Sequence, residues 1–233
     1  MNNLILQHWN NLGKSSMPVW AERAQNSIKK FAKAINVEYQ QVYGWPMGEF
    51  RGAVCQKLAL LLEDYDEYDE VLMLDMDMIA TKHIDNPFNY EGVGRLHLKA
   101  MGSKEATKQG RYWPALYKQG APLFFGNWIK LTRQERIELR KHLPSEDMVL
   151  SNMSDPTLSR FNTSMPPNDE QTLHYCIWQS GILDEKKQLM VPHDRFCDLP
   201  EESPKNASMM HYCNTRKDKI IDHLQGIYGL ELI

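Results

Sequence analysis

The sequence YDEYDEVLMLDMDMIA, residues 65–80, places an apolar run between two groups of acidic residues. The four consecutive apolar residues 71–74 are typical of a central parallel strand that is covered on both faces. Asp75 and Asp77 follow this run, with only Met76 between them. Residues i and i+2 of an extended segment point to the same side, so both carboxylates are expected to face one point. The stretch therefore predicts a buried strand that ends in a pair of aligned acids.

The segments before this stretch alternate between strand and helix patterns. The apolar run at 4–6 and the segment VEYQQVY at 37–43 predict two strands. Pro18 is suited to the first turn of the helix between them. A second helix is predicted from Phe50 to Asp64. Apolar residues recur at helical spacing in both helices; they are Trp20, Ala24, Ile28, Phe31 and Ile35 in the first, and Phe50, Val54, Leu58, Leu61 and Tyr65 in the second. This order predicts a doubly wound, Rossmann-like α/β fold with a mostly parallel central sheet flanked by helices.

The pattern is less regular after residue 80, and we expect a single domain over residues 1–233. Thr132 and Glu135 form a capping box that starts a helix, while Asn168 and Gly181 bound another helix. The predicted strands lie at 95–98, 122–131, 188–191 and 208–212, the helices at 132–142, 169–180 and 216–225, and a loop at 145–167.

Composition and charge restrict the class of protein. The net charge is -3 and the pI is about 6.2, so no basic field attracts nucleic acid or anionic lipid. The apolar run near the start is too short for a signal peptide, and no segment of the sequence is long enough to span a bilayer. The four cysteines are widely spread and are interpreted as reduced thiols. We expect a soluble, cytoplasmic protein without a nucleic-acid partner.

The position of the two aspartates predicts a ligand site. Ligands of open parallel sheets bind beyond the carboxyl ends of the strands, which is where Asp75 and Asp77 lie in the predicted order. Two carboxylates held close together repel each other unless a cation lies between them or one is protonated. Oxygen ligands without thiolates favour Mg²⁺ or Mn²⁺, and these ions complete their coordination with substrate phosphates and water. A turn capped by the two side chains is the structural alternative.

The stretch 65–80 resembles the D-x-D region of nucleotide-sugar glycosyltransferases with the GT-A fold. Three other segments resemble parts of that family in the expected order: ERAQNSIKKFAKAINVEYQQVYG at 22–44, NDEQTLHYCIW at 168–178 and MMHYCNTRK at 209–217. The resemblance covers most of the chain, with a weaker middle between 90 and 165. It implies a nucleotide-binding half at 1–80 and an acceptor-side half at 81–233.

The resemblance also implies a role for individual residues. Asp77 and His211 would bind Mn²⁺ or Mg²⁺ directly, and Asp75 would contact the metal through water or contact the ribose. Lys217 would neutralise the departing diphosphate. The remaining residues would lie near the first aspartate, the donor sugar or the acceptor; they are Arg51, Lys57, Asp169 and Gln171.

The implied activity is transfer of a hexose or deoxyhexose from a nucleoside-diphosphate sugar, with UDP as the expected nucleotide. The acceptor would be a hydroxyl group of a glycan or another molecule. Inversion would need a carboxylate base beside the acceptor, for which Asp169 is the candidate. The Asp-Gln helix followed by His-x5-Lys is more similar to the retaining branch, in which Asp169 would position or stabilise the sugar.

Three alternatives remain open at this stage. A haloacid-dehalogenase-like phosphatase also uses an apolar strand with Asp-x-Asp, and Asp194 with Asp198 resembles its late metal motif. A zinc site would need ligands from the two HYC triplets, and a catalytically silent sugar-nucleotide binder would need only the donor site. The four residues of the zinc alternative are His174, Cys176, His211 and Cys213.

Overall fold

The computed structural model describes residues 1–10, 16–90, 128–154, 169–181, 196–197, 208–212 and 217. These residues form a mixed α/β fold. The strands are β1 (Asn3–Trp9), β2 (Glu38–Tyr43), β3 (Glu70–Leu74), β4 (Met78–Ala80), β5 (Trp128–Thr132), β6 (Phe196–Cys197) and β7 (Met209–His211). The α-helices are α1 (Val19–Ala34), α2 (Arg133–Arg140), α3 (Glu146–Ser154) and α4 (Asp169–Ser180).

The central sheet has the strand order β2-β1-β3-β5. β1 pairs in parallel with β2 and with β3, whereas β5 runs antiparallel to β3. In the register Gln7 lies beside Leu74, so the carboxyl ends of β1 and β3 reach the same edge. The predicted first three strands and their order along the chain are confirmed, and the sheet is mostly parallel as expected.

Alternate side chains of the central strands enter two different cores. Leu4 and Leu6 of β1 pack with Val71 and Met73 in one cluster, which also includes residues of 58–61. Ile5 packs in the other cluster, against Ile28 and Phe31 of α1. Successive side chains of a strand point to opposite faces of the sheet. Because both faces of β1 and β3 are covered, the buried residues of each strand form a continuous apolar run in the sequence.

The predicted helix from Phe50 to Asp64 is wrong in type. The segment forms short 3-10 helices at Glu49–Arg51, Val54–Leu61 and Glu63–Tyr65, with extended backbone at Leu62 between the last two. The Gln56 amide donates to the carbonyls of Gly48 and Gly52, both of which have positive φ. A glycine adopts that conformation readily, and the resulting turns interrupt a continuous α-helix although the apolar spacing is helical.

The capping box at the end of β5 is confirmed. The Thr132 hydroxyl accepts from the Glu135 amide, and the Glu135 carboxylate accepts from the Thr132 amide, which starts α2. On α2 the buried Arg136 donates to the carbonyls of Leu131, Tyr65 and Tyr68. α2 is thereby attached to the amino-terminal end of β3.

The predicted loop at 145–167 is wrong over its first part, where α3 forms. The Ser145 hydroxyl accepts from the Met148 amide, and Glu146 and Asp147 lie in the first turn, where acids favour a helix. The polar composition hid this start signal, and Val149 is nevertheless buried. The described residues do not include 155–168.

The predicted helix at 169–180 is confirmed as α4, which ends at Gly181 with a positive φ. The predicted strand at 208–212 is confirmed as β7, which pairs antiparallel with β4 and in parallel with β6. β6 was not predicted from the sequence. The predicted elements at 95–98, 188–191 and 216–225, and the first part of 122–131, lie outside the described residues, apart from Lys217 in a turn.

Within the described ranges, no helix combines the length and the apolar character needed to cross a bilayer.

Candidate metal and sugar-nucleotide site

Asp75 and Asp77 lie in a tight turn that joins β3 to β4, so the prediction of an extended segment at these residues is wrong. The Met78 amide donates to the Asp75 carbonyl at 3.1 Å, and the Tyr212 amide donates to the Asp77 carbonyl at 2.9 Å. β3 is fixed in the middle of the central sheet, and β4 is paired with β7. The backbone of both aspartates is therefore held from two sheets.

His211 joins the two aspartates because of the pairing between β4 and β7. The antiparallel register sets His211 opposite Met78, the residue next to Asp77. The His211 Nε2 atom lies 3.1 Å from Asp77 Oδ1 and 3.7 Å from Asp75 Oδ2. One ligand atom from each of the three residues lies within 4.8 Å of the others. Side chains 134 residues apart in the sequence thus converge at the carboxyl end of β3.

Two lysines bind the opposite sides of the two carboxylates. Lys57 Nζ lies 2.8 Å from Asp75 Oδ1, and Lys217 Nζ lies 3.1 Å from Asp77 Oδ2. Each aspartate therefore has one oxygen on a lysine and the other oxygen directed to the imidazole of His211. The lysines and the imidazole together fix the orientation of both carboxylates.

Lys57 also connects this cluster to α4. Its Nζ atom lies 2.6 Å from Oδ2 of Asp169, the first residue of α4, whose side chain is almost completely buried. Burial of Lys57 would by itself lower its pKa, but the carboxylates of Asp169 and Asp75 outweigh that effect and raise it. Lys57 is therefore a fixed cation that joins the D-x-D turn to the start of α4.

The two aspartates differ in pKa because their surroundings differ. Burial raises the pKa of Asp75, and the neighbouring acids Asp77 and Asp169 add to this, so that Lys57 and His211 only partly offset it. Burial also acts to raise the pKa of Asp77, but the hydrogen bond with His211 and the charge of Lys217 prevail and lower it. A cation between the two groups would favour the ionised form of both.

The three ligand residues fit a small divalent cation. Neighbouring ligands of an octahedral ion with bonds of about 2.1 Å are roughly 3 Å apart, close to the separations of 3.1 and 3.7 Å between the imidazole nitrogen and the carboxylate oxygens. Two carboxylates and one imidazole suit Mn²⁺ or Mg²⁺ better than a soft metal. Among the described residues, Asp75, Asp77 and His211 form the one group of three such ligands.

The other residues implicated by the sequence are distributed differently. The buried Arg51 donates to the Pro144 carbonyl and stacks on the Phe50 ring, with 4.7 Å from the guanidinium carbon to the ring centroid. In the described part of the chain its contacts do not include Asp75. Gln171 lies in the first turn of α4, but its side chain is not among those described.

The sequence did not identify two further neighbours of the site. Trp20, predicted to be part of the buried face of α1, is half-buried; its ring lies 4.6 Å from Lys217 Nζ and 5.9 Å from the ring of Trp9. Gln7 of β1 is fully buried, and its amide donates to the Asp75 carbonyl. For Gln7 the available signal was a polar residue inside an apolar strand. For Trp20 there was no such signal, because its contact is with Lys217, which is distant in the sequence.

The zinc and phosphatase alternatives gain no support from the described residues. The Cys176 thiol is in the core and donates to the His142 carbonyl, and burial raises its pKa to about 12. It does not join His211 in the described metal-ligand group. Cys213, Asp194 and Asp198 and the side chain of His174 lie outside the described residues.

Comparison with known proteins identifies the fold. No protein-family model matches the chain, and no curated protein matches it. Its structure is similar to that of a glycosyltransferase involved in the glycosylation of the major capsid of PBCV-1, with a TM-score of 0.52 and 12% sequence identity over 96% of this chain and 98% of that chain. At this identity the likeness establishes the fold alone, and the predicted GT-A type of α/β fold is confirmed.

Two further solved structures are similar with TM-scores of 0.46, too low to add to the argument. One is mouse xyloside xylosyltransferase 1 in its apo form, at 10% identity over 91% of this chain and 98% of that chain. The other is the galactosyltransferase LgtC in complex with donor and acceptor sugar analogues, at 11% identity over 99% of this chain and 97% of that chain.

Proposed function

We propose that the chain is a metal-dependent glycosyltransferase that takes a hexose or deoxyhexose from a nucleoside-diphosphate sugar. One observation carries the proposal: in a GT-A type of fold, Asp75, Asp77 and His211 converge at the carboxyl end of β3. This is the edge at which open parallel sheets bind their ligands. UDP is the proposed nucleotide because of the resemblance of residues 65–80 to the D-x-D region.

In this proposal Asp75, Asp77 and His211 hold Mn²⁺ or Mg²⁺. The ion, when bound, would act as a Lewis acid that offsets the charge of the departing diphosphate. Lys217 Nζ lies 3.1 Å from Asp77, so it can add fixed positive potential on the same side. The acceptor hydroxyl has to be positioned against the sugar carbon, which requires orientation by the protein rather than further covalent chemistry.

The surroundings of Asp169 support retention of configuration. An inverting enzyme needs a carboxylate that removes the proton of the acceptor hydroxyl. Asp169 is 2% exposed and its Oδ2 atom lies 2.6 Å from the Lys57 ammonium. The carboxylate is thus buried and already paired with Lys57, rather than open to an acceptor hydroxyl. We therefore assign Asp169 to positioning or stabilising the sugar, and the proton of the acceptor to the leaving phosphate.

The proposal is tested by thermal unfolding with a panel of nucleoside diphosphates, each with and without Mn²⁺. A ligand that binds only the folded form raises Tm, by roughly 5–10 °C at about a hundredfold excess over Kd for a chain of this size. We expect this increase with UDP only when Mn²⁺ is present, and its loss in Asp77→Asn. Asp64→Asn is the matched control because Asp64 is an exposed aspartate of the 3-10 helix Glu63–Tyr65 and lies outside the group of Asp75, Asp77 and His211. An equal increase in Asp77→Asn would refute the metal site.

A second measurement separates an enzyme from a binder. Release of UDP from a UDP-sugar, by transfer or by slow hydrolysis, is expected in wild type with Mn²⁺ and not in Asp77→Asn. A protein that is stabilised by UDP and Mn²⁺ but releases no UDP would be a catalytically silent binder. Release of phosphate from a simple phosphate ester would favour the phosphatase alternative instead.

A further inference from the structure

Gln7 is a polar side chain in an otherwise apolar part of β1. It is 0% exposed and follows Leu4, Ile5 and Leu6, which are equally buried. Its Nε2 atom donates to the carbonyl oxygen of Asp75 at 3.0 Å. The register places Gln7 beside Leu74, so the amide reaches just past the end of β3. Gln7 thus binds the backbone of the first residue of the D-x-D turn.

The same carbonyl oxygen accepts a second hydrogen bond. The Met78 amide donates to the Asp75 carbonyl at 3.1 Å and closes the turn that carries both carboxylates. The Gln7 amide approaches this oxygen from β1, outside the turn. Together the two donors restrict rotation of the peptide that follows Asp75, and with it the relative orientation of the two acidic side chains.

Gln7 is itself held by a network of polar groups from β2 and α1. The Tyr39 hydroxyl lies 3.0 Å from Gln7 Oε1 and 2.7 Å from Gln41 Oε1, so the two amide oxygens share one phenolic hydrogen. Gln41 Nε2 donates to the Gln7 carbonyl at 2.9 Å, and Gln25 Nε2 of α1 donates to Gln41 Oε1 at 3.0 Å. Burial raises the pKa of Tyr39, which keeps its hydroxyl a donor.

We propose that Gln7, oriented by Tyr39 and Gln41, is a positioning residue for the divalent-metal site of Asp75 and Asp77. The inference rests on the proposed function in one respect, namely that these aspartates and His211 bind a metal ion. Partners outside the ligand shell orient ligands, and their removal typically weakens metal affinity by about 10–100-fold. An apolar residue at position 7 would fill the same space in the core without any hydrogen bond to the turn.

The test measures the Kd of Mn²⁺ alone, from the free Mn²⁺ detected by electron paramagnetic resonance, in folded wild type and variants. Gln7→Met keeps the length of the side chain and removes the donor, and we expect Mn²⁺ to bind it about tenfold more weakly. Tyr39→Phe removes only the hydroxyl that orients Gln7, and we expect a smaller loss of affinity in the same direction. The spectrum of bound Mn²⁺ should differ from that of wild type in both variants.

Tyr68→Phe is the matched control for Tyr39→Phe. Tyr68 is buried and its hydroxyl accepts from Gln40 Nε2 of β2 at 3.0 Å, while its hydrogen bonds among the described residues do not include the D-x-D turn. A purely structural role would lower Tm in both tyrosine variants and leave the Mn²⁺ Kd unchanged. We expect both to lose some stability and only Tyr39→Phe to lose Mn²⁺ affinity.

The outcomes separate this inference from the proposed function. If the Gln7 and Tyr39 variants bind Mn²⁺ with the same Kd as wild type, the positioning role is overturned and the metal site is not. If Gln7→Met does not fold, an unchanged Kd in Tyr39→Phe alone overturns it. Failure of wild type itself to bind Mn²⁺ would overturn the proposed function, and the positioning role with it.

Discussion

Strand β3 has charged side chains at both of its ends, and the two groups are arranged differently. At the amino-terminal end each acid contacts its own cation: Glu70 lies 3.1 Å from Lys130, Asp69 lies 3.3 Å from Arg133 and Asp66 lies 2.7 Å from Arg140. At the carboxyl end Lys57 is shared by Asp75 and Asp169, and His211 is shared by Asp75 and Asp77.

The balance of charge also differs between the ends. At the amino-terminal end the buried Arg136 adds a further cation, and backbone carbonyls accept its hydrogen bonds. Among the described residues at the carboxyl end, three carboxylates face two lysines and one imidazole, which leaves negative charge in this group when the imidazole is neutral. Each acid of the first arrangement is matched by its own cation, whereas the second would be completed by a cation. The candidate site is therefore marked by the sharing of partners rather than by the number of charges.

The largest effect on stability is expected at the carboxyl end, from Lys57→Met. Removal of one partner from a buried ionic group leaves the others unpaired, here Asp75 and Asp169, and costs about 3–5 kcal/mol. Urea unfolding measures the loss, and we expect Mn²⁺ to restore part of it because the ion would again pair with Asp75. Lys33→Met, at an exposed position of α1, is the control. A loss below about 1 kcal/mol would mean that Lys57 behaves like a surface lysine.

A smaller but still large effect is expected at the amino-terminal end, from Arg136→Met. The change leaves the carbonyls of Leu131, Tyr65 and Tyr68 without this donor. Loss of these hydrogen bonds in a buried setting should cost roughly 2–3 kcal/mol in urea unfolding. The Mn²⁺ Kd of the folded variant should equal that of wild type. A weaker Kd would show that the two ends of β3 are energetically coupled, and it would contradict their treatment as separate groups.

Arg133→Met provides the internal control for that prediction. The Arg133 side chain is 45% exposed and pairs with Asp69, which is 46% exposed. A surface pair of this kind contributes less than about 1 kcal/mol.

The smallest effect is expected from the pH dependence of stability. Burial raises the pKa of Cys55, near Asp169 and Thr172 at the carboxyl end, and that of Cys176 to about 12. The unfolded thiols ionise near pH 9, while the folded ones keep their protons. Stability should therefore fall as the pH rises from about 8 to about 10, by roughly 1 kcal/mol for each thiol.

Urea unfolding at the two pH values checks this expectation. Cys55→Ala and Cys176→Ala should each reduce the pH-dependent loss by roughly 1 kcal/mol, whatever their effect on absolute stability. Tyr68→Phe, at the amino-terminal end, should retain most of the loss, because a tyrosine in the unfolded chain is only about half ionised at pH 10. An unchanged slope in both alanine variants would contradict the assignment to the thiols.

Local signals in the sequence were sufficient for much of the fold and for the pair Asp75 and Asp77, whereas His211 was named only through the family resemblance. The apolar run at 71–74 predicted β3, and the capping box at Thr132 predicted the start of α2. These signals depend on residues close together in the chain. The same kind of reasoning was wrong for 50–64, because the interaction of Gln56 with Gly48 and Gly52 replaces a continuous helix with 3-10 turns.

Within the candidate site, the sequence could name the types of residue but not how they are shared. Lys57 was expected near Asp75, yet its second contact with Asp169 requires that α4 approach the 54–61 segment. Arg51 carries the same charge six residues earlier, but the structure turns it to the Pro144 carbonyl. The polar network behind Asp75 also depends on β2 lying beside β1, so a polar residue in an apolar run could signal Gln7 but not its partners, and Tyr39 had no local signal.

The sequence by itself determined that an apolar strand ends in two acids with one residue between them, because this spacing is a property of neighbouring residues. The turn between β3 and β4, rather than alternation along an extended strand, sets the direction of their carboxylates. Only the tertiary structure decided which distant groups meet those acids: His211 through β7, Asp169 through α4, and Gln7 through β1. The physical reason is burial. Charged and polar groups removed from water need specific partners, and the packing of distant elements determines which partners are within reach.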